Sequence, residues 1–287
     1  MTTTTASSAG EFLLGGDLRV NRLGFGAMRI ALGGSVRDPE SAVAVLRRAV
    51  ELGVNHIDTA GFYGFGDLQS HETIRQALSP YRDDLVIATK VGPMLEGGVV
   101  PTAEATPEQL RGLVEEDLRR LGVDRLDLVY LRVGGMGEPG GESIGDRFEA
   151  LAELHAEGLI RHLGVSNVDA AQLAEARAIA PVAAVQNQFH VHRRADADLL
   201  AICEQAGIAY VPFFPLGGGG EKIDPARVEA VAARHGATTH QVALAWLLAH
   251  SPAVLAIPGT SVLEHLEENV AAAGLQLTAE DLTELAG

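Results

Sequence analysis

A single cysteine, Cys203, stands in 287 residues, which excludes an intramolecular disulfide and a Cys-rich metal centre. It lies in the helix-like run "LLAICEQAG", where a small apolar side chain for the core is the simplest reading. No Lys/Arg run offsets the net charge of −16, from 38 acidic and 22 basic residues, so nucleic acid and anionic membranes are poor partners. A small anionic cofactor stays possible, because a local site can oppose the global sign. No apolar stretch approaches the roughly 20 residues of a membrane span. The opening "MTTTTASSAG" lacks the basic and apolar regions of a signal peptide, and residues 1–10 read as a disordered tail on a soluble, cytoplasmic protein. Aromatic residues are scarce, at 5% against 47% hydrophobic overall, so the core must come mainly from Ala, Leu and Val.

What is present is a rhythm. Short β-branched or apolar runs alternate with longer amphipathic ones. Strands are expected at 22–26, 55–59, 85–90, 126–132, 160–166, 183–188, 208–213 and 254–259. Helical stretches lie between them, such as 38–53 and 106–122. The second opens with Thr106 as N-cap and Pro107 at the first helical position, and stops at Gly122. Eight strand–helix units with no linker or composition break predict one α/β domain over 11–287, a single (β/α)8 TIM barrel. Residues 11–20 read as an extra N-terminal hairpin turning at Gly15-Gly16.

In such a barrel the C-terminal strand ends converge on one face, where sites are built. The residues there are Gly24, Asp58, Lys90, Arg132, Ser166, Asn167, Gln186 and Phe213. The stretch "VNHIDTAGFYG" (54–64) places Tyr63 just beyond Asp58. A phenol is a poor acid at neutral pH unless its anion is favoured. Lys90 ends a buried-looking strand and needs a partner there. Asp58 can hold Lys90, and Lys90 can favour the Tyr63 anion, giving a proton-donor set. The same three residues also read as a salt bridge plugging the barrel top, with Tyr63 as loop packing.

The motifs "GFGAM", "HIDTAGFYG", "VIATKVG", "LGVSN", "VQNQF", "VPFFPLGGG" and "IPGTSVLEHLEEN" occur in the order found in aldo-keto reductases, and the chain resembles that family from about residue 11 to 285. The resemblance implies NADPH as cofactor, hydride delivery to a small carbonyl substrate, and Tyr63 as general acid with Lys90 and Asp58 behind it. It places Gly26, Ala27, Met28 and Asp58 beside the cofactor. Ser166, Asn167 and Gln186 match residues that hold the nicotinamide carboxamide, and Phe213 a ring that stacks on the nicotinamide. The run 216–220, with Pro215, Leu216, Gly217 and Gly218, would approach the pyrophosphate as bare backbone. Gly259, Thr260, Ser261 and His265 fall on positions for the 2′-phosphate, and Glu268 and Asn269 on the adenine side. Thr260 and Ser261 also read as a helix cap.

Two departures stand out. Many relatives carry a Lys or Arg in the 2′-phosphate segment, and this chain does not. Most relatives end the fourth strand in a histidine that completes a catalytic tetrad, whereas "LDLVYLR" puts Arg132 there. Arginine cannot exchange a proton, but its rigid fork of donors can bind a carbonyl oxygen and stabilise its charge. Arg132 also reads as a mere partner for a carboxylate. A bacterial branch that includes pyridoxal reductases looks similar, sharing the arginine, "FYG" and the run from Tyr81 to Leu85. Pyridoxal is therefore one expected substrate. A ketoreductase or imine reductase of a secondary-metabolite pathway, and a slow-turnover cofactor-binding regulator, are the alternatives.

Among the histidines, His56 reads as structural and one residue out of phase with Asp58. His71 is expected at the substrate mouth, and His190 and His192 at the pocket rim. With no Cys or carboxylate at ligand spacing, no metal is expected.

Overall fold

The computed structural model describes residues 4–32, 38–66, 68–95, 101–135, 138–219 and 225–286. Seven parallel strands lie side by side in chain order: β1 (Phe25–Gly26), β2 (His56–Asp58), β3 (Val86–Val91), β4 (Leu126–Arg132), β5 (Ile160–Ser166), β6 (Val182–Gln186) and β7 (Ala209–Tyr210). The eighth place is taken by residues 253–257, which form bridges rather than a ladder. Leu255 N donates to Tyr210 O and Ala256 N to Arg22 O, while Gly24 N donates to Ala256 O, all at 2.8–2.9 Å. Those bonds join the two edges, and the sheet closes into the expected (β/α)8 barrel. The strands run shorter than the apolar runs suggest, because at 22–24 and 254–257 the chain makes single bridges at the closure.

Helices α1 (Pro39–Glu51), α2 (Ser70–Leu78), α3 (Pro107–Leu121), α4 (Gly145–Ala156), α5 (Ala170–Ile179), α6 (Ala197–Ala206), α7 (Pro225–His235), α8 (Thr239–His250), α9 (Leu263–Ala271) and α10 (Ala279–Ala286) cover the described part of the barrel's outer face. Their boundaries follow local chemistry. Asp38 caps α1 by accepting from Ser41 N at 2.8 Å, with Pro39 next. Gln109 reaches back to Thr106 N at 2.9 Å, and α3 ends on Gly122 at φ +71°, a conformation that favours glycine.

Two apolar layers result. Outward-facing strand residues and the inner helix faces make the larger one. The smaller fills the barrel itself, where Val86, Ala88, Leu128, Ala184, Ala209 and Leu255 meet Leu14, Leu18 and Val20 from the hairpin Glu11–Leu14/Leu18–Asn21. The hairpin therefore plugs the barrel floor. Its turn is pinned by Asp17, which pairs with Arg161 Nη2 at 2.7 Å and His162 Nε2 at 2.6 Å.

The tail expectation needs correction where it is described. Residues Ala6–Ala9 form a 3₁₀ turn, Ala6 is fully buried, and its amide donates to Leu52 O at 2.9 Å. A small side chain at a close backbone approach suffices to dock a segment with no apolar pattern of its own. Residues 1–3 of that tail, and Gly220 of the glycine run, lie outside the described residues.

Candidate active site

Strand phase decides what reaches the barrel top. Side chains of a strand alternate sides, so Asp58, Lys90, Arg132, Ser166 and Gln186 all end interior-facing rows. Lys90 Nζ donates to Asp58 Oδ1 at 2.5 Å and to Thr59 O at 3.0 Å, and it lies 5.1 Å from the centre of the Tyr63 ring. Burial opposes the ammonium, but Asp58 and Tyr63 outweigh it and raise the Lys90 pKa above its ordinary value. Asp58 spends its other oxygen on Gln186, whose Nε2 donates to Oδ2 at 2.7 Å. Gln186 Oε1 is buried and has no partner. A buried amide oxygen left so is costly, and it offers a ready acceptor for an amide N–H arriving from the site.

Arg132 is also enclosed. Its Nη1 donates to Ser166 Oγ at 3.2 Å and its Nη2 to Gly135 O at 2.5 Å, and its guanidinium carbon sits 4.8 Å over the Phe213 ring. Burial lowers its pKa from the ordinary value, while Tyr63 and Glu104 act in the other direction. The salt-bridge-plug reading of Lys90 and Asp58 holds as far as the pair itself goes. The pair does not seal the barrel, because two cavities open onto it.

The first is a narrow cleft of about 100 Å³. Among its walls are Gly26, Met28, Asp58, Tyr63, Gln186, Phe213, Pro215, Leu216, Gly218 and Gly259. Glycine is needed at two of these places. A Cβ on Gly259 would lie 2.3 Å from Gly26 O, and one on Gly26 2.7 Å from Ile257 O. The second cavity, about 480 Å³, is lined mostly by apolar groups including Phe62, Pro93, Pro101 and Leu32, with Lys90 and Arg132 in its wall. Met28, Tyr63, Gln186, Phe213 and Phe214 line both.

Several expected residues sit elsewhere. Ala27 is buried and donates its amide to Asp58 O at 2.8 Å, and Gly217 starts the 3₁₀ turn Gly217–Gly219. Ser166 is buried beneath Arg132. Asn167 holds φ +61° and donates Nδ2 to Val133 O at 3.0 Å. None of these four lines either cavity. Thr260 and Ser261 are buried just before α9, and Thr260 Oγ1 accepts from Val262 N at 3.1 Å in a turn ahead of the helix; the N-cap is Val262, with no side-chain cap bond, so neither residue caps α9 as the sequence suggested. His265 is exposed, and Asn269 is buried. Glu268 is bonded to Thr238 Oγ1 at 2.5 Å at the start of α8.

The phase expected of His56 and the places expected of His71 and His190 need correction, while His56 remains the buried structural group the sequence suggested. His56 shares the inward phase of Asp58, two residues on, and is fully buried with both ring nitrogens unpartnered. Burial pushes it down to about 4, with Asp58 and Lys90 acting in opposite directions. His71 is 1% exposed and packs behind β3, away from the mouth. His190 is buried and His192 exposed, and neither lines either of these two cavities. Sequence reasoning missed Arg29, which lines the cleft and donates to Gly218 O. It also missed Phe214 and the apolar wall of the larger cavity, because loop residues between elements carry no periodic signal. Among the described residues, no cluster of three or more His, Cys, Asp or Glu could hold a metal ion, and no helix is long and apolar enough to cross a membrane.

The chain matches the Aldo/keto reductase family over residues 22–287. It is 46% identical over 285 residues to pyridoxine 4-dehydrogenase of Escherichia coli (strain K12), covering 98% of each chain. An uncharacterized oxidoreductase of Schizosaccharomyces pombe is 41% identical, over 98% of this chain and 90% of that one. The crystal structure of an aldo-keto reductase from Klebsiella pneumoniae in complex with NADPH aligns with a TM-score of 0.80 at 30% identity, over 99% of this chain and 94% of that one. Barrel, strand-end residues and sequence agree: the chain belongs to the aldo/keto reductase family.

Proposed function

We propose that this protein reduces an aldehyde to its alcohol with NADPH, Tyr63 serving as general acid, and that pyridoxal, giving pyridoxine, is a substrate. The observation that carries the reading is the seam between the two cavities. Tyr63, Gln186 and Phe213 line both, and Lys90 stands against Tyr63 there. The residues of the narrow cleft fit the cofactor: Gln186 offers an amide oxygen for a carboxamide N–H, and Gly26, Gly218 and Gly259 present bare backbone in the cleft wall.

NADPH, when bound, supplies the hydride. Tyr63 donates its phenolic proton to the carbonyl oxygen. Lys90 stabilises the phenolate left behind, and Asp58 fixes Lys90 at 2.5 Å. Arg132 donates to the same oxygen and steadies its charge as the carbon is reduced. Gln186 would accept from the nicotinamide carboxamide, with Ser166 and Asn167 behind it at the strand ends, and Phe213 would pack on the ring. Gly259, Thr260, Ser261 and His265 would hold the 2′-phosphate, with Asn269 and Glu268 on the adenine side. The apolar wall of the larger cavity suits a planar aromatic aldehyde, and the Escherichia coli relative supports pyridoxal among these.

The test is NADPH consumption by the purified protein with pyridoxal, benzaldehyde and aliphatic aldehydes, with NADH in parallel. Turnover of aromatic aldehydes, with pyridoxal among the best, is expected. A protein that binds NADPH yet reduces none of them would sink the reading.

A further inference from the structure

The outer side of β3 carries a polar cluster that this chemistry leaves unused. Thr89 faces away from Lys90, toward the helices, and is fully buried. Its Oγ1 donates to Asp117 Oδ2 at 2.7 Å and lies 3.2 Å from His71 Nε2. His71 Nδ1 is 3.3 Å from Asp117 Oδ1. Asp117 belongs to α3 and His71 to α2, and they are 3% and 1% exposed. A carboxylate enclosed there is expensive unless it is hydrogen-bonded or paired, and Asp117 has the Thr89 hydroxyl and the His71 ring against it.

What the cluster holds is the loop that carries the phenol. Asp117 Oδ1 lies directly beneath Gly61, so close that a Cβ on Gly61 would come within 2.3 Å of it. Arg120, one turn along α3, donates Nη1 to Gly61 O at 3.2 Å. Ser70, beside His71, donates its amide to Tyr63 O at 3.0 Å and shares a 2.8 Å hydroxyl contact with Thr59. Thr59 O in turn accepts from Lys90 Nζ at 3.0 Å. Asp117 thus bonds the Lys90 strand to α3 and packs beneath Gly61 of the Tyr63 loop, which Arg120 of α3 and Ser70 of α2 hold by hydrogen bonds.

We propose that Asp117, together with Thr89 and His71, is a positioning residue that fixes Tyr63 relative to Lys90 from behind the barrel wall. The proposal rests on Tyr63 being the proton donor. Misplacing a reacting group by about 1 Å can cost about a hundredfold in rate, so a loosened loop is read in turnover rather than in cofactor binding.

Three variants test it. Thr89→Val keeps the shape and removes the hydroxyl, Asp117→Asn keeps the shape and removes the charge, and Thr89→Ser keeps the hydroxyl. Aldehyde turnover should fall by about tenfold to a hundredfold in the first two, with the Kd for NADPH within about twofold of wild type. Thr89→Ser should stay near wild type. Hydrogen exchange at the Tyr63 amide, which is bonded to Ala60 O at 3.0 Å, should accelerate in Thr89→Val while α8 amides stay protected. Unchanged turnover and unchanged Tyr63 exchange in both variants overturn the proposal. So does faster exchange spread evenly over the barrel, which marks plain destabilisation. If wild type reduces no carbonyl compound, the reductase reading fails separately, and exchange confined to 60–63 still decides whether Asp117 positions the loop.

Discussion

His56 makes the barrel interior sensitive to pH, and the size of the effect follows from its burial. The ring is fully enclosed, neither nitrogen has a partner, and its pKa is pushed to about 4 from an ordinary 6.5. The folded protein keeps the ring neutral at a pH where the unfolded chain already binds a proton. Stability from this group is therefore complete above about pH 6.5 and is lost as pH falls toward about 4. Linkage over that interval gives a loss of about 2 kcal/mol between pH 7 and pH 5. Moving the folded value by a whole unit changes the result only to about 1.5 kcal/mol, because pH 5 already lies well below 6.5.

The perturbation is His56→Leu, which removes the titration. Any cavity or packing cost of the substitution is the same at both pH values, so each protein is compared with itself. Equilibrium urea unfolding at pH 7 and pH 5 is the assay, with the slope m checked for constancy. Wild type should lose about 2 kcal/mol more than the variant, equivalent to about 3 °C in Tm for a chain this long. His250, also lowered by burial, moves in the same direction in both proteins and cancels from the difference. Equal losses in the two proteins would refute the buried, unpartnered state of His56.

Four further outcomes are expected. Tyr63→Phe should abolish aldehyde reduction while NADPH still quenches protein fluorescence with near-normal affinity, since only the proton donor is gone. Arg132→Ala should lower kcat by about 10²–10³-fold, the scale of a lost oxyanion donor, and Arg132→Lys should restore only part of it; unaltered kinetics in both would reduce Arg132 to a structural role. Ser261→Ala should raise the KM for NADPH by about tenfold and leave that for NADH unmoved, the value of one hydrogen bond to a charged group; equal effects on both cofactors would remove Ser261 from the 2′-phosphate site. Cys203, fully buried and pushed up to about 12, should resist thiol reagents in the native protein and react at once in denaturant.

The elements that were legible in the sequence are those with a period or a punctuation mark. The helix opened by Thr106-Pro107 and closed by Gly122 lies where its caps place it, and the hairpin turns at Gly15-Gly16. The residues at strand ends were legible for the same reason: a charged side chain closing an apolar run, as Lys90 does, points to the open face. Phase was the weak step. His56 and Asp58 are two apart and must share a face, and misreading that put His56 on the wrong side of the wall. His71 was misplaced because a residue at the start of a helix after a catalytic loop can face either the cavity or the neighbouring helix. Only the partner on α3, Asp117, about 46 positions away in the chain, decides it. The aromatic and proline wall of the larger cavity came from loops, where adjacency in sequence says little about adjacency in space.

Arg132 in the place of a titratable group changes the electrostatics of the seam more than its proton chemistry. Lys90 and Arg132 each bring a positive charge, and Asp58 brings one negative charge. Before proton transfer the four residues, with Tyr63 as a phenol, sum to one positive charge; after it they sum to zero. A neutral imidazole at position 132 would start the set at zero and leave it negative. In an enclosed site, where charge is weakly screened, the first sequence is the easier one. The arrangement has a cost, which appears as the lowering of the Arg132 pKa by burial. Ser166 Oγ, Gly135 O and the face of Phe213 share in offsetting it. Because arginine keeps its protons throughout, the proposed proton delivery falls to Tyr63, and in that proposal the contact between Tyr63 and Lys90 decides how readily the phenol gives it up.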